Sequence, residues 1–105
     1  MQGHLKAAEA LELLGRARQQ APYNPEIPAE AGKILLDEQQ YDGALDELSR
    51  AVALNPKNAL AFNNRGVALA ALGQAPAAAA DFEHALSLDP NFAEAQENLK
   101  RLNIR

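Results

Sequence analysis

Apolar residues recur every three or four positions along most of this chain, and short polar turns interrupt the pattern. Ala7, Leu11, Leu14 and Ala17 hold the spacing first, which predicts a helix from about His4 to Gln20. Ala21-Pro22-Tyr23-Asn24-Pro25 stops it. Pro28 suits a first turn but not a helix interior, so the next helix opens near it and runs through Ile34, Leu35 and Leu36 to about Gln39. A turn at Tyr41-Asp42 leads to a third helix carrying Ala44, Leu45, Leu48, Ala51, Val52 and Leu54. Asn58 is placed to cap a fourth, Leu60 to Leu72, by accepting from an amide of its first turn. Gly73-Gln74-Ala75 reads as a turn and Pro76 as the start of a fifth helix that ends at Leu88. The sixth, Phe92 to Leu102, sets Phe92, Ala95, Leu99 and Leu102 in one apolar stripe among Glu94, Glu97, Lys100 and Arg101.

The pattern is also periodic on a longer scale. Pro22, Pro56 and Pro90 stand 34 residues apart (56 − 22 and 90 − 56). The same step relates Ala10, Ala44 and Ala78; Ala17, Ala51 and Ala85; Gly32 and Gly66; Leu35 and Leu69; Leu54 and Leu88; and Asn24 and Asn58. A repeat of this length is that of a helix–turn–helix solenoid. Solenoids work by presenting a surface more often than by assembling a catalytic centre.

Composition narrows the picture. At 105 residues the chain is one domain's worth. Much of its 48% hydrophobic content is alanine and aromatics are only 5%, which favours closely packed helices over sheet. The net charge of −4 and the lack of a cationic stripe argue against a nucleic-acid surface. Cysteine is absent, so disulfides and thiolate metal sites are excluded. There is no bilayer-length apolar run and no export signal. The expectation is a soluble chain, cytoplasmic or periplasmic, with no membrane insertion and, from its alanine-rich style, a bacterial source.

These residues resemble the tetratricopeptide repeat family, whose 34-residue unit has a small residue mid-way in its first helix, small residues at two places in its second, and a closing proline. Gly32 and Gly66 match the first requirement, Ala44 with Ala51 and Ala78 with Ala85 the second, and Pro56 and Pro90 the third. The resemblance covers residues 1–105 as a single domain. It comprises the second helix of a preceding unit (4–22), two complete repeats (25–58 and 59–92) and a capping helix (93–105). Pro28 and Gln96 depart from an aromatic position that Phe62 keeps, and Arg65 stands where leucine is usual.

The resemblance implies an all-α, right-handed superhelix of six helices with a concave groove lined by each unit's first helix. Here those helices offer Glu30, Lys33, Leu36 and Asp37, then Leu60, Asn63, Asn64, Val67 and Ala71, then Glu94, Glu97, Asn98 and Arg101. Lys33, Asp37, Asn63, Asn64, Val67, Asn98 and Arg101 are the candidate contacts. Asn64 and Asn98 are 34 apart, and carboxamides that both donate and accept suit an extended peptide backbone. The alternative is that these asparagines are solvated or bonded to neighbouring helices. Family members that hold chaperone C-termini clamp the carboxylate with lysine, asparagine and arginine on successive first helices. The matching places carry Ala29 and Lys33, Asn64, then Glu94 and Asn98. Only Asn64 fits and Glu94 would repel, so that clamp is not expected.

The residues offer no chemistry. His4 and His84 have no partners at metal-ligand spacing, and Ser49 and Ser87 have no base or elbow beside them. The chain is thus read as a non-enzymatic scaffold without cofactor, binding a protein or peptide in its groove. The alternatives are a self-assembly module acting through its stacked ends, or an accessory domain of a larger enzyme. The first helix, with Leu5, Leu11 and Leu14 expected to lack a covering partner, is the candidate surface for a homo-oligomer.

Overall fold

The computed structural model describes residues 2–103, and every element among them is helical: α1 (Gln2–Gln20), α2 (Glu26–Asp37), α3 (Tyr41–Leu54), α4 (Ala59–Ala71), α5 (Ala75–Leu88) and α6 (Ala93–Asn103). The helices pack in chain order, with α2 against α3 and α4 against α5 as the two most extensive pairings. Arg105, expected on the outer side of the last helix, lies outside the described residues.

The proline rhythm has a local cause. Pro22, Pro56 and Pro90 each hold the second place of a four-residue turn. Asn24 N donates to Ala21 O (3.2 Å), Asn58 N to Asn55 O (3.3 Å) and Phe92 N to Asp89 O (3.1 Å). Proline presets the backbone angle needed there and gives up a donor that the turn does not use. The side chains of Asn55 and Asp89 reinforce their turns by accepting from Lys57 N (3.1 Å) and Asn91 N (3.2 Å). Asn58 then caps α4, its Oδ1 accepting from Ala61 N at 3.0 Å.

Among the helix starts that differ from the sequence expectation, three have a clear local cause. α2 begins at Glu26, two residues ahead of Pro28. The first four amides of a helix have no acceptor within it, so proline in the third position loses no hydrogen bond. Tyr41 and Ala75, expected in turns, are the first residues of α3 and α5. The turns before them are short because both hairpins close with the same motif. Gln39 and Gln40 donate to Leu36 O and Leu35 O (3.0 and 2.9 Å), and Gly73 and Gln74 donate to Ala70 O and Leu69 O (3.1 and 2.9 Å). These bonds require one left-handed residue, supplied by Gln39 (φ 60°) and Gly73 (φ 81°).

Close approach at the crossings explains the small residues. A Cβ on Gly32 would lie 2.5 Å from Leu48 Cγ, and one on Gly66 would lie 2.5 Å from Phe82 Cε1. Both Leu48 and Phe82 are fully enclosed, as are Ala44, Ala51, Ala78 and Ala85 beside them. These residues form the core between the first and second helices of each hairpin.

α1 is covered differently from expectation. Leu11 and Leu14 are half-buried, so they are not the free face. Arg18 of α1 reaches Glu47 of α3 at 2.8 Å. The residues left in solvent are Leu5 (68% exposed) and Leu13 (62%). The helix turns its smaller residues and Leu11 and Leu14 inward, and two leucines remain among charges on its outer side.

Candidate functional site

The first helix of each hairpin, α2 and α4, and the last helix, α6, lie side by side, and a recess opens at each junction. The recess between α2 and α4 has a volume of about 110 Å³ and is lined by Glu26, Ala29, Glu30 and Lys33 on one wall and Asn58, Leu60, Ala61 and Asn64 on the other. The recess between α4 and α6 is about 190 Å³ and is bordered by Val67, Ala70, Phe82, Asn98, Arg101 and Leu102. Five of the eight residues lining the first are polar or charged, set around an apolar surface that includes exposed Leu60, whereas the second is largely apolar with Asn98 and Arg101 at its edge.

Five of the seven residues singled out in the sequence line these recesses: Lys33 and Asn64 the first, and Val67, Asn98 and Arg101 the second. Asp37 does not. It is exposed and holds Lys33 Nζ at 2.9 and 3.2 Å, an i,i+4 pair along α2. Asn63 lines neither recess and has no exposed surface. Its Oδ1 accepts from Asn98 Nδ2 at 3.1 Å, while its own Nδ2 is buried without a partner.

The two asparagines that share a repeat position therefore differ. Asn98 is engaged by α4. Asn64 is 6% exposed, and its side chain makes no hydrogen bond among the described residues. A carboxamide with no protein partner, opening only onto a recess, keeps its donor and acceptor capacity for a ligand. Glu26 was missed in the sequence because the start of α2 was placed at Pro28. With the helix beginning at Glu26, that residue stands one turn before Glu30 on the same wall.

Arg65, which departs from the repeat pattern, is explained by what lies behind this surface. Its Nε and Nη2 donate to Asp81 Oδ2 and Oδ1 at 2.7 and 2.9 Å, and Nη1 donates to Ser49 Oγ at 3.4 Å. The guanidinium carbon also sits 5.6 Å from the centre of the Phe62 ring, and His84 lies against the same ring at 4.1 Å between centroids. One side chain thus joins α4 to α5 and touches α3. Its hydrogen bond to Asp81 holds the Arg65 pKa above its ordinary value, against the opposing effect of burial.

Among the described residues, no three His, Asp or Glu side chains gather where they could hold a metal ion. No described helix is long and apolar enough to cross a membrane.

Comparison with known proteins agrees with this architecture. The family description "TPR repeat" matches residues 32–73, and "Tetratricopeptide repeat" matches 59–92. RNA polymerase II-associated protein 3 of Xenopus tropicalis is 34% identical over 95 residues, which is 90% of this chain but 14% of that protein. The chain therefore spans about a seventh of this relative's length. This relative is an amphibian protein, and the likenesses do not show the bacterial source expected from composition. The structure of the first TPR of Spaghetti (RPAP3), bound to the HSP90 peptide SRMEEVD, superposes with a TM-score of 0.91 at 30% identity, covering 95% of this chain and 79% of that one. The second TPR domain of human RPAP3, in complex with the HSP70 peptide SGPTIEEVD, gives 0.91 at 28% identity, covering 97% and 85%. A helical hairpin repeated every 34 residues, closed on glycine at both crossings and superposing on these domains, settles the relationship: the chain belongs to the tetratricopeptide repeat family.

Proposed function

We propose that this chain is a protein-interaction scaffold whose face along α2, α4 and α6 holds a peptide or a helical segment of a partner, without catalysis and without a cofactor. The observation that carries this reading is Asn64. It is only 6% exposed, stands on the wall of a recess and makes no side-chain hydrogen bond among the described residues, so a peptide backbone could bond to it without first displacing a protein partner. The apolar recess beside Val67 and Leu102 supplies a place for a side chain of the same segment. Similar folds that bind peptides, the TPR domains of Spaghetti and human RPAP3, support the mode. Within it, Lys33, Asn64, Val67, Asn98 and Arg101 contact the ligand, and buried Asn63 orients Asn98.

The test is a map of backbone amide resonances while SRMEEVD, or a cationic amidated peptide of equal length, is added. Shifts should gather on α2, α4 and α6. Shifts confined to α1, α3 or α5 would remove the groove from consideration.

A second reading, self-association through α1, draws on exposed Leu5 and Leu13. Glu9, Glu12 and Arg16 interrupt that surface, and Arg16 pairs with Glu12 at 3.4 Å. The leucines are isolated, which makes the face a weak dimer surface. Light scattering that gives a dimer mass, lost in Leu5→Ser/Leu13→Ser, would favour this reading over the groove.

A further inference from the structure

We infer that the recess between α2 and α4 selects its partner by a cationic side chain, a lysine or arginine within the bound segment, and that the chain disfavours acidic tails. The inference rests on the groove reading above and adds to it the charge of the ligand. Glu26 and Glu30 stand one helical turn apart on one wall, and neither has an ion-pair partner among the described residues. The one cation lining the recess, Lys33, is tied to Asp37 at 2.9 Å, so its charge is largely answered within the chain. Two free carboxylates therefore set the local potential.

The opposite wall fits the rest of such a side chain. Leu60 is 51% exposed there, and the methylene stem of lysine or arginine lies readily on an apolar surface while its head stays near carboxylates. Asn64, buried and unpaired on the same wall, is the independent sign that a ligand is accommodated, because its carboxamide can take the backbone of the segment. An acidic tail would bring its own carboxylates to Glu26 and Glu30, and like charges at close range disfavour a partner strongly. The net charge of −4 acts in the same direction at longer range.

The test uses the full chain and two fluorescein-labelled heptapeptides of matched length, followed by anisotropy. One is SRMEEVD with a free carboxylate; the other is SRMKKVK with an amidated end. The cationic peptide should bind at least about tenfold more tightly at low salt, with the margin shrinking as ionic strength rises. Glu26→Lys and Glu30→Lys, both at exposed positions, should erase most of that margin while the helical circular-dichroism signal is retained. Glu30→Gln should fall between. Asn64→Ala should weaken the cationic peptide without reversing the preference.

Tighter binding of SRMEEVD, equal binding of the two, or indifference to both glutamate reversals would overturn the charge assignment. If Asn64→Ala still weakened binding in those cases, the groove itself would stand. Binding that ignores Asn64→Ala would overturn the groove reading, and binding of neither peptide would overturn both.

Discussion

The α2–α3 and α4–α5 hairpins follow one backbone plan and are held by different means. In the first, Leu48 fills the space over Gly32, Gln39 takes the left-handed position, and Glu47 turns away to Arg18 of the neighbouring α1. In the second, Phe82 fills the space over Gly66 and Gly73 takes the left-handed position. Asp81, 34 residues after Glu47, is gripped by Arg65 of its own hairpin. The second hairpin is thus closed by its own residues, whereas the first borrows a partner from α1. Repeat position sets the backbone; the side chain at each position decides whether stability is local or shared with a neighbour.

The comparison can be broken most forcefully at the crossings. Phe82→Ala removes the largest enclosed side chain and should cost about 3–5 kcal/mol, with Leu48→Ala close behind at about 2–5 kcal/mol, both read by urea denaturation. Equal and small losses would mean that the crossings are loosely packed.

Next come the two carboxylates. Asp81→Ala leaves a guanidinium that is only a quarter exposed without its partner, and should cost about 2–3 kcal/mol, somewhat below the range for fully buried pairs. Glu47→Ala should cost only about 1 kcal/mol and chiefly loosen α1, seen as faster amide exchange there, because Glu47 is more exposed than Asp81 and holds Arg18 by one hydrogen bond where Asp81 holds Arg65 by two. The pKa of Arg65 is raised in the folded chain, so its stabilising effect is present at every pH below the ordinary guanidinium range. It is lost only as pH climbs through the raised value. Titrating Arg65 should therefore add no pH dependence to stability near neutrality, and an Arg65→Leu chain compared with wild type from pH 6 to 9 should show a constant difference.

A smaller contrast lies in the glycines. Alanine at position 66 gains about 1 kcal/mol in helix propensity but must push a rigid ring aside, for a net loss of about 1 kcal/mol. Gly32→Ala should cost less, since Leu48 can rotate its branch. Smallest is the turn. Gln39→Gly should stabilise by about 0.5–1 kcal/mol, and Gly73→Gln should destabilise by a similar amount, because only the latter adds a Cβ to a left-handed residue. Thermal melts of the two variants should move in opposite directions.

Much of this was legible in the chain. The 34-residue step, Asn58 as a cap and the small residues at the crossings follow from local rules, because turn geometry and close helix approach admit few side chains. The start of α2 was not, since a proline in a first turn marks a region and not a residue. Arg65 read only as a departure, because its partner Asp81 is 16 residues away on another helix. The asparagine pair shows the limit best. Asn64 and Asn98 share a repeat position, yet one is buried and free and the other is bonded to Asn63.

The sequence by itself therefore determined the number of helices, the proline turns between hairpins and the helix pairing, all of which depend on contacts within a few residues or on a repeated step. The tertiary structure alone decided which carboxylates face a recess unpaired, which asparagine keeps its hydrogen bonds free, and which leucines of α1 stay in solvent. Those properties depend on what stands opposite each side chain, and spacing along the chain does not carry that information.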